Sequence, residues 1–140
     1  MTGFLCLAHW GFFSGGGNDA RNPTDSAAFF AVPELVGAKV PPPGNTHPAF
    51  LGDHDPGDPL VSPLLADLKG FPPTLCMTGT RDTALAGTTN FHRALLRDGV
   101  DAHLIVYDAL PHAFWYEVGI PEAQEALRYQ AEFLDRNLGR

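Results

Sequence analysis

Cysteine is nearly missing from this sequence. Cys6 and Cys76 are the only two in 140 residues, too few for a disulfide framework and in keeping with a reducing, cytoplasmic setting. Cations are also scarce. Nine Lys+Arg stand against 16 Asp+Glu, a formal net charge of -7, and no Lys/Arg run appears. A surface that tracks nucleic-acid phosphates is therefore not expected. No apolar stretch approaches the roughly 18 residues that a bilayer span requires. The opening segment, residues 1–13, is apolar but has neither a cationic start nor a small-residue cleavage site, which disfavours a signal peptide. What is present is 44% hydrophobic residues, including 10 Phe, 3 Tyr and 2 Trp, an aromatic content that argues against disorder. The length suits one globular domain and not two.

Proline and glycine divide the chain unevenly. Gly15-Gly16-Gly17 closes the first apolar run, and from Pro41 to Pro59 turn formers are dense enough to forbid long helices and central strands. Beyond Ser62 the pattern becomes regular. Thr74 to Thr78 reads as a strand, launched by Pro72-Pro73 and stopped by Gly79-Thr80. Ala84 to Asp98 reads as a helix whose inner face carries Leu85, Phe91, Ala94 and Leu95, with Gly99 as its C-terminal stop. Ala102 to Tyr107 reads as a second strand, apolar enough to suggest burial on both faces. A last helix starts near Pro121, with Ala123, Ala126, Leu127, Phe133, Leu134 and Leu138 on its buried side. Phe4 to Ala8 offers a third strand. The expected class is α/β, a β-α-β-α unit of parallel sheet joined by a right-handed crossover.

In such a sheet, functional side chains gather just beyond the C-terminal ends of the strands. Asp82 follows the first strand and His112 the second, so topology brings two residues distant in sequence to one sheet edge. A carboxylate beside one imidazole nitrogen fixes the tautomer and stabilises the imidazolium. The other nitrogen is left to take a proton from a nucleophile.

The segments Asp58-Pro59-Leu60-Val61-Ser62-Pro63-Leu64-Leu65, Pro72-Pro73-Thr74, Thr78-Gly79-Thr80-Arg81-Asp82 and Pro111-His112-Ala113-Phe114-Trp115 resemble the hormone-sensitive-lipase-like branch of the α/β-hydrolases. The resemblance is strong from about residue 56 onward and covers the C-terminal portion of that fold. It implies serine esterase or lipase-like chemistry on small-molecule carboxylic esters, without metal or organic cofactor. It also implies Asp82 as triad acid and His112 as triad base, in the chain order of that superfamily. Leu110, Phe114 and Trp115 become substrate-pocket candidates, with core packing the competing role. The family's Gly-x-Ser-x-Gly elbow and His-Gly-Gly oxyanion loop do not occur in these 140 residues. Ser14 has Phe12 where the elbow needs a small residue, which makes it a poor surrogate nucleophile. Ala113 stands where glycine commonly follows the histidine. The domain reading is one partial hydrolase domain, with residues 1–58 a strand plus cap-like irregular region and 59–140 the C-terminal β-α-β-α unit. The isolated chain is expected to be weakly active or inactive. A second copy, or a complementing N-terminal hydrolase segment, is the partner expected at its incomplete sheet.

Other readings compete. Asp82 also suits a helix cap. A hydrolase scaffold without its nucleophile can serve as a non-catalytic interaction domain. Gly15-Gly16-Gly17-Asn18-Asp19-Ala20 formally matches a dinucleotide-binding pattern, with Glu34 near the position of a ribose-binding acid, but Pro23 interrupts the helix that should hold the pyrophosphate. The acidic stretch Asp53-His54-Asp55-Pro56-Gly57-Asp58 lacks the glycine and glutamate spacing of a calcium loop and reads as a solvated turn. His9, His47, His54, His92 and His103 read as surface or packing residues.

Overall fold

The computed structural model describes residue 19 together with residues 52–82 and 84–138. The expected strand at Phe4 to Ala8, Ser14, the glycine run and most of the cap-like region lie outside the described residues.

The acidic stretch folds as a series of side-chain-closed turns. Asp55 Oδ1 accepts the Gly57 N–H at 2.8 Å, and Asp58 Oδ1 accepts the Leu60 N–H at 2.8 Å. These are local bonds of the kind Asp makes with backbone two residues on. A 3-10 turn at Pro63–Leu65 leads through the buried Leu68 to the regular structure.

Strand β1 runs Thr74–Arg81, helix α1 Leu85–Arg97, strand β2 Ala102–Pro111, a second 3-10 turn Phe114–Tyr116, and helix α2 Pro121–Leu138. The strands pair in parallel, Thr74 opposite Ala102 through Gly79 opposite Tyr107. Alternation along each strand sends side chains to both faces. On one face Cys76 joins Leu68, Phe91, Ala94, Leu95 and Val100, so α1 packs there. On the other, Met77, Ile105 and Tyr107 meet Phe114 and Ala126, so α2 packs there. The sheet is thus a layer between two helices, each helix held by a cluster of its own. Burying a side chain such as Leu95 or Phe91 contributes roughly 1.5–3 kcal/mol. Burial also pushes the Cys76 thiol up from 9.0 to about 11, because a thiolate there would lose its hydration.

α1 ends as its sequence suggests. Gly99 adopts φ 78, Val100 N–H reaches Leu95 O at 3.0 Å and Gly99 N–H reaches Leu96 O at 3.1 Å. This is the paired capping pattern in which a residue without Cβ takes the left-handed position. Asp98, next to it, accepts the Leu68 N–H at 2.9 Å and ties the incoming loop to the helix end.

Several expectations need correction. β1 does not stop at Gly79 but runs on to Arg81, because Gly79 serves a close backbone approach rather than a turn. β2 runs past Tyr107 to Pro111 and is not buried on both faces. Val106 is 42% exposed, since β2 has a single hydrogen-bonded neighbour among the described residues. On α2, Ala123, Ala126 and Phe133 are buried, whereas Leu127 and Leu138 are exposed. Leu127 falls one position off the inward stripe, and Leu138 is the helix's final residue.

Candidate functional site

Beyond Arg81 the chain turns sharply, with the Asp82 N–H on Gly79 O at 3.1 Å and the Leu85 N–H on Asp82 O at 3.1 Å. This turn drives the Asp82 side chain inward, where it is only 2% exposed. A carboxylate so buried needs hydrogen-bond donors. Three are supplied. Thr78 Oγ1 donates to Oδ2 at 2.9 Å, and the Ala84 N–H donates to Oδ1 at 2.7 Å. The third comes from His112, whose Nδ1 lies 2.7 Å from Oδ1. As the carboxylate only accepts, the proton of that bond sits on His112 Nδ1. Nε2 is then left with its lone pair. The two residues separated by 30 positions are therefore in contact at the C-terminal edge of the sheet.

The Asp82 carboxylate also satisfies an amide at the entry to α1, although Ala84 is the capping residue by position. The cap-like role and the histidine partnership thus coexist on one oxygen.

His112 keeps 37% of its side chain exposed, open to a reacting group while its other end is held. The loop that carries it is anchored on both sides. Ala113 follows in the left-handed conformation at φ 57, a backbone that favours glycine. Phe114 is 1% exposed, with its ring 4.8 Å from that of Tyr107 and 5.3 Å from that of Trp115. Of the pocket candidates, Phe114 lies in the α2-side cluster, and Leu110 and Trp115 are partly buried against it. Among the described residues the buried Tyr107 hydroxyl has no hydrogen-bond partner, and burial, reinforced by Glu125 and Tyr129, pushes it up to about 12.

The remaining described histidines stand apart from this pair. His92 Nε2 lies 3.3 Å from Ala102 O, His103 pairs with Asp101 at 3.1 Å, and His54 is exposed. Among the described residues no cluster of three or more His, Cys, Asp or Glu side chains is arranged to hold a metal, and no helix is long and apolar enough to cross a membrane. Thr78 was not singled out by the sequence, because a threonine inside a strand looks like any other β-branched strand residue.

A model of the alpha/beta hydrolase fold family matches residues 44–116, which is more than half of the chain. An esterase of Acinetobacter venetianus is 38% identical over 82 residues, covering 58% of this chain and 27% of that protein. Among solved structures, an esterase from the bacterial hormone-sensitive lipase family is 37% identical at a TM-score of 0.61, covering 63% of this chain and 30% of that one. The solved structure of EstE5-PMSF superposes with a TM-score of 0.72 at 25% identity, covering 89% of this chain and 41% of that one. The fold and these matches define an α/β-hydrolase. The chain belongs to the alpha/beta hydrolase fold family, in its hormone-sensitive-lipase-like branch, and it spans about a quarter of the length of the curated relatives it matches.

Proposed function

We propose that this chain supplies the acid and base of a serine carboxylic-ester hydrolase, with Asp82 as the orienting acid and His112 as the general base. The single observation that carries the reading is the 2.7 Å bond between His112 Nδ1 and the buried Asp82 carboxylate, in a fold whose relatives include proteins named as esterases. In the reaction, a serine hydroxyl attacks the ester carbonyl and His112 Nε2 takes its proton. The resulting imidazolium is stabilised by Asp82, and His112 then protonates the departing alcohol. Backbone amides around the carbonyl oxygen hold the oxyanion. The chemistry calls for neither metal nor organic cofactor.

The 140 residues contain no Gly-x-Ser-x-Gly sequence, so the serine is assigned to a complementing hydrolase segment. Residues 59–140 form the proposed acid–base unit, and Leu110, Phe114 and Trp115 border the proposed ester pocket. A short-chain p-nitrophenyl ester assay tests this. The chain alone gives little or no turnover. Mixing it with the nucleophile-bearing N-terminal portion of a hormone-sensitive-lipase-family esterase gives turnover that His112→Ala abolishes and Asp82→Asn lowers by on the order of 10⁴. Ordinary enzymatic rates from the chain alone, lost in Ser14→Ala, would overturn the assignment of the nucleophile to a partner. Restored turnover indifferent to His112→Ala would remove the base.

A further inference from the structure

The strand ladder and the Asp82–His112 pair do not share one register. From Thr74 opposite Ala102 to Gly79 opposite Tyr107, partners differ by 28 in residue number, yet the ladder ends with Arg81 opposite Pro111, a difference of 30. Asp82 and His112 also differ by 30. Had the first register continued, Asp82 would face Leu110, and His112 would lie two residues, roughly 6–7 Å, farther along. The bulge formed by Asp108, Ala109 and Leu110 opposite Thr80 takes up those two residues. An even step preserves the alternation of faces, whereas a step of one would reverse it.

This bulge is held by particular contacts. Ala109 sits at φ 59, a conformation unfavourable for a residue with a Cβ. Its N–H donates to Thr80 Oγ1 at 2.7 Å, and Thr80 Oγ1 donates to Asp108 Oδ1 at 3.1 Å. On the neighbouring β1 residue, a Cβ added to Gly79 would collide with the Leu110 carbonyl. One hydroxyl therefore occupies the middle of the bulge, while a missing side chain leaves room for its backbone.

We infer that Thr80 is a positioning residue for His112: its hydroxyl fixes the two-residue register step that sets the imidazole on the Asp82 carboxylate. The inference rests on the acid–base reading above and adds a residue that touches neither partner. It predicts that the His112 tautomer responds to a group two residues away from Asp82 on β1.

Long-range 1H–15N NMR of the full chain, at a pH where the ring is neutral, reads that tautomer directly, and cross-strand contacts between Met77 and Ile105 report whether the ladder persists. In the native chain the Nδ1–H form dominates. In Thr80→Val the ladder contacts persist while the ratio of Nδ1–H to Nε2–H falls roughly two- to tenfold, the change expected from losing one hydrogen bond. Thr80→Ser restores the native ratio. A native ratio in Thr80→Val overturns the inference, as does Thr80→Ser behaving like the valine variant. Loss of ladder and tautomer together would assign Thr80 a structural role only. The measurement follows geometry and not turnover, so failure of the ester assay leaves it standing. A native chain without the Nδ1–H form would instead remove the pair on which both readings depend.

Discussion

The buried Asp82 carboxylate accepts three hydrogen bonds on two oxygens, and each donor comes from a different part of the chain. Only one of the three is a side chain on the preceding strand, β1. Thr78→Val keeps the shape of Thr78, which is fully buried, but withdraws the sole donor to Oδ2 among the described residues. A hydrogen bond to a charged group is worth about 1.5–3 kcal/mol when its loss strands a buried acceptor. Urea unfolding should show Thr78→Val less stable by that amount and Thr78→Ser near the native value. An unchanged midpoint in the valine variant would mean that Oδ2 finds another donor. Asp82 and His112 were legible in the sequence, since each follows an apolar strand in a parallel arrangement and topology alone brings such ends together. Thr78 and Thr80 were not. Their role depends on hydrogen bonds across a fold, and nothing in their local sequence differs from that of strand residues that merely pack.

At the scale of elements, the helices were the more legible part because their signals are local. Pro121 at the first turn of α2 and Gly99 just past α1 act through backbone sterics that their own neighbours determine. The strand ends were not legible for the opposite reason. Gly79 looks like a stop, yet its lack of a side chain is used by Leu110, 31 residues later, and β1 continues through it. The same bulge makes a quantitative claim about Ala109. Held at φ 59, alanine bears a left-handed penalty of about 1–2 kcal/mol that glycine escapes, offset in part by glycine's greater freedom in the unfolded chain. Ala109→Gly should therefore raise stability by about 0.5–1 kcal/mol, seen as a higher denaturation midpoint at unchanged slope. The N–H bond to Thr80 is kept, so the His112 tautomer should not change. Destabilisation by this substitution would show that the native turn relies on the Ala109 methyl group.

Among the described residues, two clusters lie on opposite faces of the β1–β2 sheet, and each contains a buried group that resists ionisation: Cys76 on the α1 side and Tyr107 on the α2 side. The sequence could place apolar residues on both faces but could not say which thiol or phenol would be closed off from water, because that depends on the packing of both helices at once. Burial raises Cys76 from 9.0 to about 11, and burial with the nearby Glu125 raises Tyr107 from 10.0 to about 12. Both groups keep their protons longer in the folded chain than in the unfolded one. Their effect on stability is therefore absent below about pH 9 and destabilising as pH climbs through the interval between unfolded and folded values. For Cys76 that interval corresponds to a loss approaching about 3 kcal/mol once the pH passes 11. Asp98 works at the other end. The bond from Arg97, with the Leu68 N–H, holds its carboxyl below the usual carboxylate range, so the stability it adds is present above that range and lost as acid titrates it. The stability profile should thus be flat near neutrality, fall on the acid side in a way that Asp98→Asn reduces, and fall again above about pH 9. Cys76→Ala should remove the first part of the alkaline fall while leaving the later part to Tyr107. If the shared sheet couples the two clusters, Cys76 becomes reactive toward a thiol reagent at the same pH at which the Tyr107 ring loses its near-ultraviolet signal. Reaction at Cys76 with the tyrosine environment still native would show instead that the α1 side opens alone, and that the β1–β2 pair does not make the faces melt as one.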